Sequence, residues 1–169
     1  HAALRLEAVV LLVPGSAGEA QVADIVARTG AEYGLAPNWP PAVGAALSDL
    51  LTWIDPDVAS DPSAAEPARS TRAADEPSFV LYTSGTTSAP KGVVHSLATL
   101  AKASENYIAA AGLSGQDRIF LISPLASVTG VLEALFIGPM LAAPVVLEDR
   151  WDPPTTCELL VTSGATWYG

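Results

Sequence analysis

Residues 79–95 of the chain have the sequence FVLYTSGTTSAPKGVVH. The apolar run from Phe79 to Tyr82 predicts a short buried strand. The next residues form a polar loop with five hydroxyl side chains, a glycine, a proline and Lys91. Glycine lets backbone N–H groups approach a ligand closely, hydroxyl groups both donate and accept, and lysine adds positive charge. The stretch therefore predicts a loop at the end of a strand that can hold a polyphosphate.

The loop is neither of two common nucleotide-binding motifs. It lacks the Gly-x4-Gly-Lys-Ser/Thr pattern of a P-loop and the Gly-x-Gly-x-x-Gly pattern of dinucleotide-binding folds. By composition alone it is also compatible with a polar surface turn, but the order of its residues is much more specific than their composition. After the loop, Ser96 is the predicted N-cap of a helix from Leu97 to Ala111, which Gly112 ends.

Residues 82–92, YTSGTTSAPKG, resemble the phosphate-binding motif of the adenylate-forming superfamily. This group contains acyl-CoA synthetases, the adenylation domains of peptide synthetases and luciferases. The family motif is Tyr-Thr-Ser-Gly-Thr-Thr-Gly-x-Pro-Lys-Gly, and the chain departs from it at one fixed position, where Ser88 replaces glycine. The resemblance implies that Lys91 is a catalytic residue, a mobile cation over the loop, and that the Thr86 hydroxyl contacts Mg²⁺. The implied ligands of the ATP phosphates are Thr83, Ser84, Gly85, Thr86, Thr87, Ser88 and Lys91.

Composition argues against several classes of function. The formal net charge is −10 and the sequence pI is about 4.4, which argues against binding to nucleic acid or to an anionic membrane. Cys157 is the only cysteine, so an internal disulfide and a cysteine-based zinc site are excluded. The only histidines, His1 and His95, do not support a histidine metal centre. The sequence shows no signal-peptide pattern, so a cytoplasmic location is expected.

Strand and helix patterns alternate along the chain. Strands are predicted at 8–13, 79–82, 119–122 and 145–147, and helices at 18–29, 42–54, 97–111, 131–141 and 155–161. Residues 31–41 are expected to be irregular. The alternation predicts an α/β fold with a mainly parallel sheet flanked by helices. By resemblance, this is part of the N-terminal domain of an adenylate-forming enzyme.

The apolar stretch from Val131 to Leu147 contains a single charged residue, Glu133. It is short for a membrane span, and Pro139 and Pro144 interrupt it. We therefore expect a buried helix followed by a buried strand.

Three segments are predicted along the chain. Residues 1–54 form a strand–helix unit of the N-terminal subdomain, and residues 77–169 form an α/β segment with the phosphate loop. Residues 55–76 form a proline-rich linker with six acidic and two basic side chains. Such a composition predicts an exposed, mobile segment.

A second loop, residues 122–130, follows the strand predicted at 119–122. Ligands of open α/β sheets collect at the carboxyl ends of strands, so both loops are expected at one edge. In the superfamily this loop often has the sequence Pro-x-Phe-His-x-x-Gly, and its aromatic residue and histidine commonly lie beside the acyl substrate. Ala126 and Ser127 stand at those positions, so either the pocket is wider and admits a bulky or alicyclic acid, or another part of the protein fills it. The predicted substrate pocket comprises Ala126, Ser127, Val128, Thr129 and Gly130.

The resemblance implies ATP-dependent activation of a small-molecule carboxylic acid. An acyl-adenylate and pyrophosphate form, and coenzyme A then takes the acyl group, as in the AMP-forming acyl-CoA ligases of fatty acid metabolism. ATP, Mg²⁺ and coenzyme A are the implied cofactors. Two alternatives stay open: an amino-acid adenylation domain that serves a carrier protein, and a non-catalytic nucleotide-binding α/β fragment. The apolar second loop offers no evident charged partner for an ammonium group, which favours the acyl-CoA ligase.

Superfamily members are several times longer than this chain, so we expect a fragment of a larger enzyme. Three later family elements have no counterpart in the sequence: the aromatic-Gly-x-Thr-Glu motif, the aspartate that holds ribose and the lysine of the C-terminal domain. The chain alone is therefore expected not to form an acyl-adenylate. A homodimer is an open alternative, because exposed apolar surface favours association.

Overall fold

The computed structural model describes residues 2–35, 47–54, 70–83, 91–148 and 150–169. The chain divides into two compact units, of which one comprises His1–Pro14 with Arg69–Gly169 and the other Gly15–Ala68. The first strand thus lies in the same unit as the residues after 69, whereas the sequence analysis grouped it with the residues up to 54. The predicted boundaries at residues 54 and 76 stay a prediction.

The described residues form eight strands and six α-helices, and one π-helical segment lies between the fourth and fifth of these helices. In chain order they are α1 (Ala2–Arg5), β1 (Val10–Leu12), α2 (Glu19–Thr29), β2 (Tyr33–Leu35), β3 (Thr52–Ile54), β4 (Pro77–Tyr82), β5 (Gly92–Ser96), α3 (Leu97–Ala111), β6 (Ile119–Leu121), α4 (Val128–Val131), the π-helical segment (Leu132–Ile137), α5 (Gly138–Leu141), β7 (Val145–Leu147), α6 (Pro153–Ser163) and β8 (Trp167–Tyr168).

Most strand pairings are parallel, which confirms the predicted α/β architecture. In the larger unit, β4 lies between β1 and β5, and β6 lies between β7 and β8. The pairings of β1 with β4 and of β6 with β7 and β8 are parallel. In the smaller unit, β2 pairs in parallel with β3. The exception is β5, which runs antiparallel to β4.

The strand β5 was missed by the sequence interpretation, which led from the phosphate loop directly into a helix. Its first three residues, Gly92 to Val94, are exposed, so no buried apolar pattern marks it as a strand. Pairing with β4 forms it instead, in a register that sets Val80 opposite Val94 and Tyr82 opposite Gly92. The chain therefore returns beside β4 before α3 begins.

Two further predictions on secondary structure were wrong. Residues 33–35, expected to be irregular, form β2, and residues 52–54, expected to be helical, form β3. Each strand has three residues, and the two segments pair with each other across the chain, which no local periodicity reveals. The part of the predicted 42–54 helix that falls on residues 42–46 lies outside the described residues.

The helical stretch from Val128 to Leu141 connects the two clusters of the hydrophobic core in the larger unit. Val131 belongs to one cluster with Phe79 and Leu81 of β4 and Leu100 of α3. Ile137 belongs to the other, which includes Ile119 of β6. This confirms the buried helix predicted for residues 131–141. The strand β7 forms where it was predicted, but it is not buried as expected, since Val145 and Val146 are only partly buried and Leu147 is exposed. No helix in the described part of the chain is long and apolar enough to cross a membrane.

The described end of the predicted linker is hydrogen-bonded to the turn after α1. Glu7 Oε1 accepts hydrogen bonds from the Thr71 backbone N–H at 2.7 Å, the Thr71 hydroxyl at 3.0 Å and the Ser70 hydroxyl at 3.2 Å. The Thr71 backbone bond is the main reason that the pKa of Glu7 is lowered. Residues 70–76 are largely exposed, as predicted, but these bonds hold their first two residues in place. Residues 55–69 lie outside the described residues.

The predicted start of α3 is confirmed in detail. The Ser96 hydroxyl accepts a hydrogen bond from the Thr99 backbone N–H at 3.2 Å, and the Thr99 hydroxyl accepts one from the Ser96 backbone N–H at 3.1 Å. This reciprocal pair is a capping box, which satisfies two N–H groups that the first turn leaves without partners. Gly112 ends the helix in the left-handed conformation at φ +68°.

Replacing Ser96 with alanine is expected to lower the free energy of unfolding by about 1 kcal/mol, because a helix N–H then loses its acceptor. Urea denaturation of the wild-type chain and the variant measures the change. Ser96→Thr keeps a capping hydroxyl and serves as the matched control, with a loss expected below half that of Ser96→Ala. Equal losses in both variants would show that the capping bond does not stabilise α3.

Candidate functional site

The structure brings together the two ends of the phosphate loop. The Thr83 backbone N–H donates to the Lys91 carbonyl oxygen at 3.0 Å, and the Lys91 N–H donates to the Thr83 hydroxyl at 3.4 Å. These bonds continue the antiparallel pairing of β4 and β5 one residue beyond Tyr82 and Gly92. Thr83 and Lys91, the two described residues of the predicted loop, are therefore paired with each other at the carboxyl end of β4.

Close packing of two strands explains why the last residue of the motif, Gly92, is a glycine. A Cβ at Gly92 would lie 2.9 Å from Val80 Cγ1 and 3.3 Å from Tyr82 Cε1, both on the neighbouring strand. These separations are shorter than van der Waals contact. Glycine therefore lets β5 pair closely with β4 directly beside the base of the loop.

Two of the predicted phosphate ligands fall within the described residues, and both lie at the base of the loop. Thr83 and Lys91 are exposed, and Lys91 forms no ion pair with any described side chain. The positive charge of Lys91 thus stands beside the loop without a neutralising carboxylate from these parts of the chain. The other predicted ligands lie outside the described residues, and their roles stay predictions: Ser84, Gly85, Thr86, Thr87 and Ser88.

The second loop is shorter than predicted because α4 begins at Val128. The Ser127 hydroxyl accepts a hydrogen bond from the Gly130 backbone N–H at 3.0 Å and so caps this helix. A Cβ at Gly130 would lie 2.2 Å from the Pro124 carbonyl oxygen and 2.8 Å from Leu125 Cα. Ser127 and Gly130 therefore fold the loop back against the helix that follows it.

The predicted pocket residues of this loop occupy one continuous stretch. Ala126, Ser127 and Thr129 are partly buried, Val128 is exposed and Gly130 is buried. Their contact with an acyl substrate stays a prediction. The loop begins at the carboxyl end of β6, and Val131 packs in the same cluster as Leu81, near the carboxyl end of β4.

Glu133 lies one helical turn after Gly130 and is completely buried. It belongs to the π-helical segment, a form that is often found at functional sites. Its Oε1 accepts a hydrogen bond from the Tyr107 hydroxyl at 2.8 Å. A Cβ at Gly169 would lie 2.1 Å from the same oxygen, so the carboxyl group fills the space beside that glycine.

Burial raises the pKa of Glu133, because the charged carboxylate loses its hydration. The Tyr107 hydroxyl and the Trp167 indole act in the opposite direction on that pKa. The pKa of Tyr107 is also raised, first by its own burial and then by the bond to Glu133. The carboxyl group is thus held in a setting that disfavours its charge.

The raised pKa of Glu133 predicts a specific pH dependence of stability. Unfolded glutamate titrates near pH 4.3, so above that pH the unfolded chain binds fewer protons than the folded one. The protonated Glu133 side chain therefore stabilises the folded state fully below about pH 4.3. This contribution is lost as the pH rises through the pKa that Glu133 has in the folded protein. Relative to wild type, Glu133→Gln is therefore expected to become progressively more stable as the pH rises above about 4.3.

Urea denaturation of both proteins at a series of pH values between 4 and 8 measures this difference. Glu105→Gln, which changes an exposed glutamate of α3, is the matched control against which the trend of Glu133→Gln is compared. A difference between wild type and Glu133→Gln that stays constant with pH would contradict the raised pKa.

In the part of the chain that the structure describes, neither a cluster of metal-ligating side chains nor the cavity lined by Phe79 coincides with these loops. Among the described residues, no three His, Cys, Asp or Glu side chains come together around a common point. A cavity of about 390 Å³ is lined by Leu4, Phe79, Leu97 and other residues. Phe79 lies near the amino end of β4, whereas the phosphate loop leaves from its carboxyl end, so this cavity is separate from the candidate site.

The sequence interpretation missed the polar group formed by Tyr107, Glu133 and Trp167. Its one visible signal was Glu133 itself, a single acidic residue in an otherwise uncharged apolar run. An acid in such a run is costly to bury without partners, so it indicates a specific environment. The aromatic partners come from α3 and β8 and carry no motif of their own.

Comparison with known proteins agrees with the motif and the fold. An acyl-CoA synthetase of Alternaria alternata (ALT10) is 34% identical over 113 residues, which cover 67% of this chain and 20% of that protein. The N-terminal domain of FACL13 from Mycobacterium tuberculosis superimposes with a TM-score of 0.86 at 23% identity, covering 99% of this chain and 44% of that one. The O-succinylbenzoate coenzyme A synthetase of Bacillus subtilis, in complex with ATP and magnesium, gives 0.85 at 21% identity, covering 98% and 34%.

The chain spans about a fifth of the length of the curated relatives that it matches. The structural neighbours have the fold that is found in the N-terminal domain of adenylate-forming enzymes. The profile of one protein family, described as AMP-binding enzyme, matches residues 1–169. Because that match includes both loops and every strand described above, this chain belongs to the family of AMP-binding, adenylate-forming enzymes.

Proposed function

We propose that the enzyme carrying this chain activates a carboxylic acid with ATP and then transfers the acyl group to coenzyme A. The observation that carries the proposal is the hairpin base formed by Thr83 and Lys91, which presents the phosphate-binding motif at the carboxyl end of β4. Relatives named as an acyl-CoA synthetase and as a long-chain-fatty-acid–CoA ligase support the choice of acid and acceptor.

The chemistry has two steps. A carboxylate oxygen of the acid attacks the α-phosphorus of ATP, and the bond between that phosphorus and the pyrophosphate oxygen breaks. The thiol of coenzyme A then attacks the acyl carbonyl carbon, gives up its proton, and AMP leaves. The hydroxyl and N–H groups of the loop and the Lys91 ammonium stabilise the charge on the departing pyrophosphate and hold the triphosphate in place.

The donor set of the loop fits a magnesium–ATP complex. Mg²⁺ prefers oxygen ligands and usually keeps bound water and phosphate oxygens, so one hydroxyl from the protein is sufficient. Thr86 is the residue that we assign to it, on the strength of the motif alone. When bound with ATP, the ion would neutralise negative charge on the phosphate oxygens.

The acyl group is assigned to the second loop, residues 126–130. The loop offers small or partly buried side chains and no charged one. This setting suits an apolar acyl chain better than a free ammonium group. A cytoplasmic location and a homodimer belong to the same proposal and rest on the sequence alone.

Acid-dependent exchange of labelled pyrophosphate into ATP tests the proposal directly. The enzyme that carries this chain is mixed with ATP, Mg²⁺ and a panel of carboxylic acids, first without and then with coenzyme A. We expect exchange without coenzyme A, and AMP with an acyl-CoA thioester when it is added. Exchange followed by transfer only to a carrier protein would favour the amino-acid adenylation alternative. Formation of ADP, or no acid-dependent exchange, would contradict adenylation.

A further inference from the structure

The cavity near the amino end of β4 combines apolar walls with basic side chains. Its volume of about 390 Å³ lies within the range of small-molecule sites. The described residues that line it all belong to the larger unit, and those with a charge are two arginines, with no acidic side chain among them. The apolar lining residues are Leu4, Phe79, Leu97, Leu135 and Phe136, and the arginines are Arg5 and Arg72. This lining suits a ligand with an apolar body and a negative charge.

The hydrophobic core holds the apolar wall of the cavity in place. Phe79 is buried, and its ring meets the Phe136 ring edge to face, with centroids 6.2 Å apart. Leu4, Leu97 and Leu135 pack as partly buried residues against the same core cluster. Because these side chains are already packed from behind, a ligand binds there with little reordering of the wall.

The guanidinium group of Arg72 is fixed by contacts that do not use all of its donors. Its Nη1 donates to the Pro77 carbonyl oxygen at 2.9 Å, and its Nη2 donates to the Glu7 carbonyl oxygen. Its Nε lies 3.8 Å from Oε2 of Glu76. A guanidinium group carries five N–H donors, so these contacts leave one N–H on each terminal nitrogen for a ligand.

The serine hydroxyl groups that line the cavity already donate their protons within the protein. Ser70 donates to Glu7 Oε1 at 3.2 Å, and Ser78 donates to the Glu76 carbonyl oxygen at 3.1 Å. Arg72 is therefore a lining residue with side-chain donors left for a ligand. Arginine pairs with carboxylates through two N–H groups at once, so a carboxylate is the head group that matches this lining.

We propose that this cavity binds a small carboxylate with an apolar body, at a site separate from the acyl site. Phe79 and Phe136 contact the apolar body, and Arg72 binds the carboxylate. The cavity lies at the opposite end of β4 from the phosphate loop, so a ligand bound there is not adenylated. The inference goes beyond the proposed function and does not depend on it.

Calorimetric titration with 4-phenylbutyrate tests the inference on the enzyme that carries this chain. A saturating sulfamoyl analogue of the acyl-adenylate is present, so that the ATP and acyl sites are occupied. We expect saturable binding of one probe molecule per chain. The uncharged probe 4-phenylbutanamide has the same apolar body and is expected to bind about tenfold more weakly, since it loses the charge-assisted hydrogen bonds to arginine.

Substitutions locate the binding. Arg72→Gln is expected to weaken 4-phenylbutyrate binding about tenfold, whereas Arg28→Gln, which removes an exposed arginine of α2, is the matched control and is expected to leave it unchanged. Because Arg72 also bonds two backbone carbonyl groups, a second variant keeps the test decisive if Arg72→Gln fails to fold. Leu135→Glu places an acid in the cavity wall, leaves Arg72 in place and is expected to abolish binding.

The remaining outcomes separate this inference from the proposed function. Equal affinity of wild type for the carboxylate and the amide would overturn it, and this comparison needs no variant. Binding that disappears in the presence of the analogue would assign the probe to the acyl site, and absence of binding would mean that another segment of the enzyme fills the cavity. Either result would overturn the inference and leave the proposed function intact. Charge-dependent binding without any acid-dependent pyrophosphate exchange would overturn the proposed function alone.

Discussion

Replacing Lys91 with alanine is expected to lower kcat/KM for acyl-adenylate formation about 100-fold, the usual effect of removing one charged or polar group that stabilises a transition state. Lys91 stands at the base of the phosphate loop, and its ammonium has no ion-pair partner among the described residues. Its charge is therefore available for phosphate. The backbone bonds to Thr83 persist in alanine, so the hairpin should keep its geometry.

Pyrophosphate exchange at saturating acid measures this effect, with urea denaturation as a check on stability. Lys102→Ala removes an exposed lysine that pairs with Glu105 on α3 and is the matched control, with activity expected within twofold of wild type. Lys91→Arg keeps the charge but not its point-like shape, so an intermediate loss is expected. Full activity of Lys91→Ala would contradict a role for this residue in phosphate binding or catalysis.

Replacing Gly130 with alanine is expected to destabilise the protein by about 3 kcal/mol, at the upper end for a forced contact in a packed core. The added Cβ would lie 2.2 Å from the Pro124 carbonyl oxygen, and backbone atoms cannot rotate away as a flexible side chain can. Helix propensity alone predicts the opposite sign, because alanine favours a helix over glycine by about 1 kcal/mol. The sign of the change thus distinguishes packing from propensity.

Thermal and urea denaturation measure this loss, and Gly15→Ala serves as the control. A Cβ at Gly15 meets no atom within 4 Å, so a change below about 0.5 kcal/mol is expected there. Activity should fall in Gly130→Ala for every acid alike, because the turn that carries the second loop moves. A variant of wild-type stability that loses activity with selected acids only would assign Gly130 to substrate contact instead.

Local patterns were sufficient for several elements. Ser96 and Gly112 predicted the two ends of α3, because capping and the left-handed C-terminal turn depend on adjacent residues. The same holds for α2, which was predicted over residues 18–29 and which buries Val22, Ile25 and Val26 and ends at Gly30. In these cases the information lies within a few residues of the structure that it specifies.

Short strands and the hairpin base could not be found in this way. The pairs β2–β3 and β4–β5 form between segments whose own sequences are ambiguous, and a three-residue strand has too few positions to show a period. Their conformation follows from the partner strand. The antiparallel β5, which closes the phosphate loop at Lys91, is the clearest example.

For the candidate site, the order of residues 82–92 was by itself enough to identify the phosphate-binding motif and the family, because a loop that holds phosphate uses consecutive backbone and hydroxyl groups. The environment of Glu133 was decided only by the tertiary structure. Its partners, Tyr107 and Trp167, lie 26 residues before it and 34 residues after it in the sequence and come from different elements. Burial and a raised pKa arise from the packing of distant segments, and no pattern within one segment encodes them.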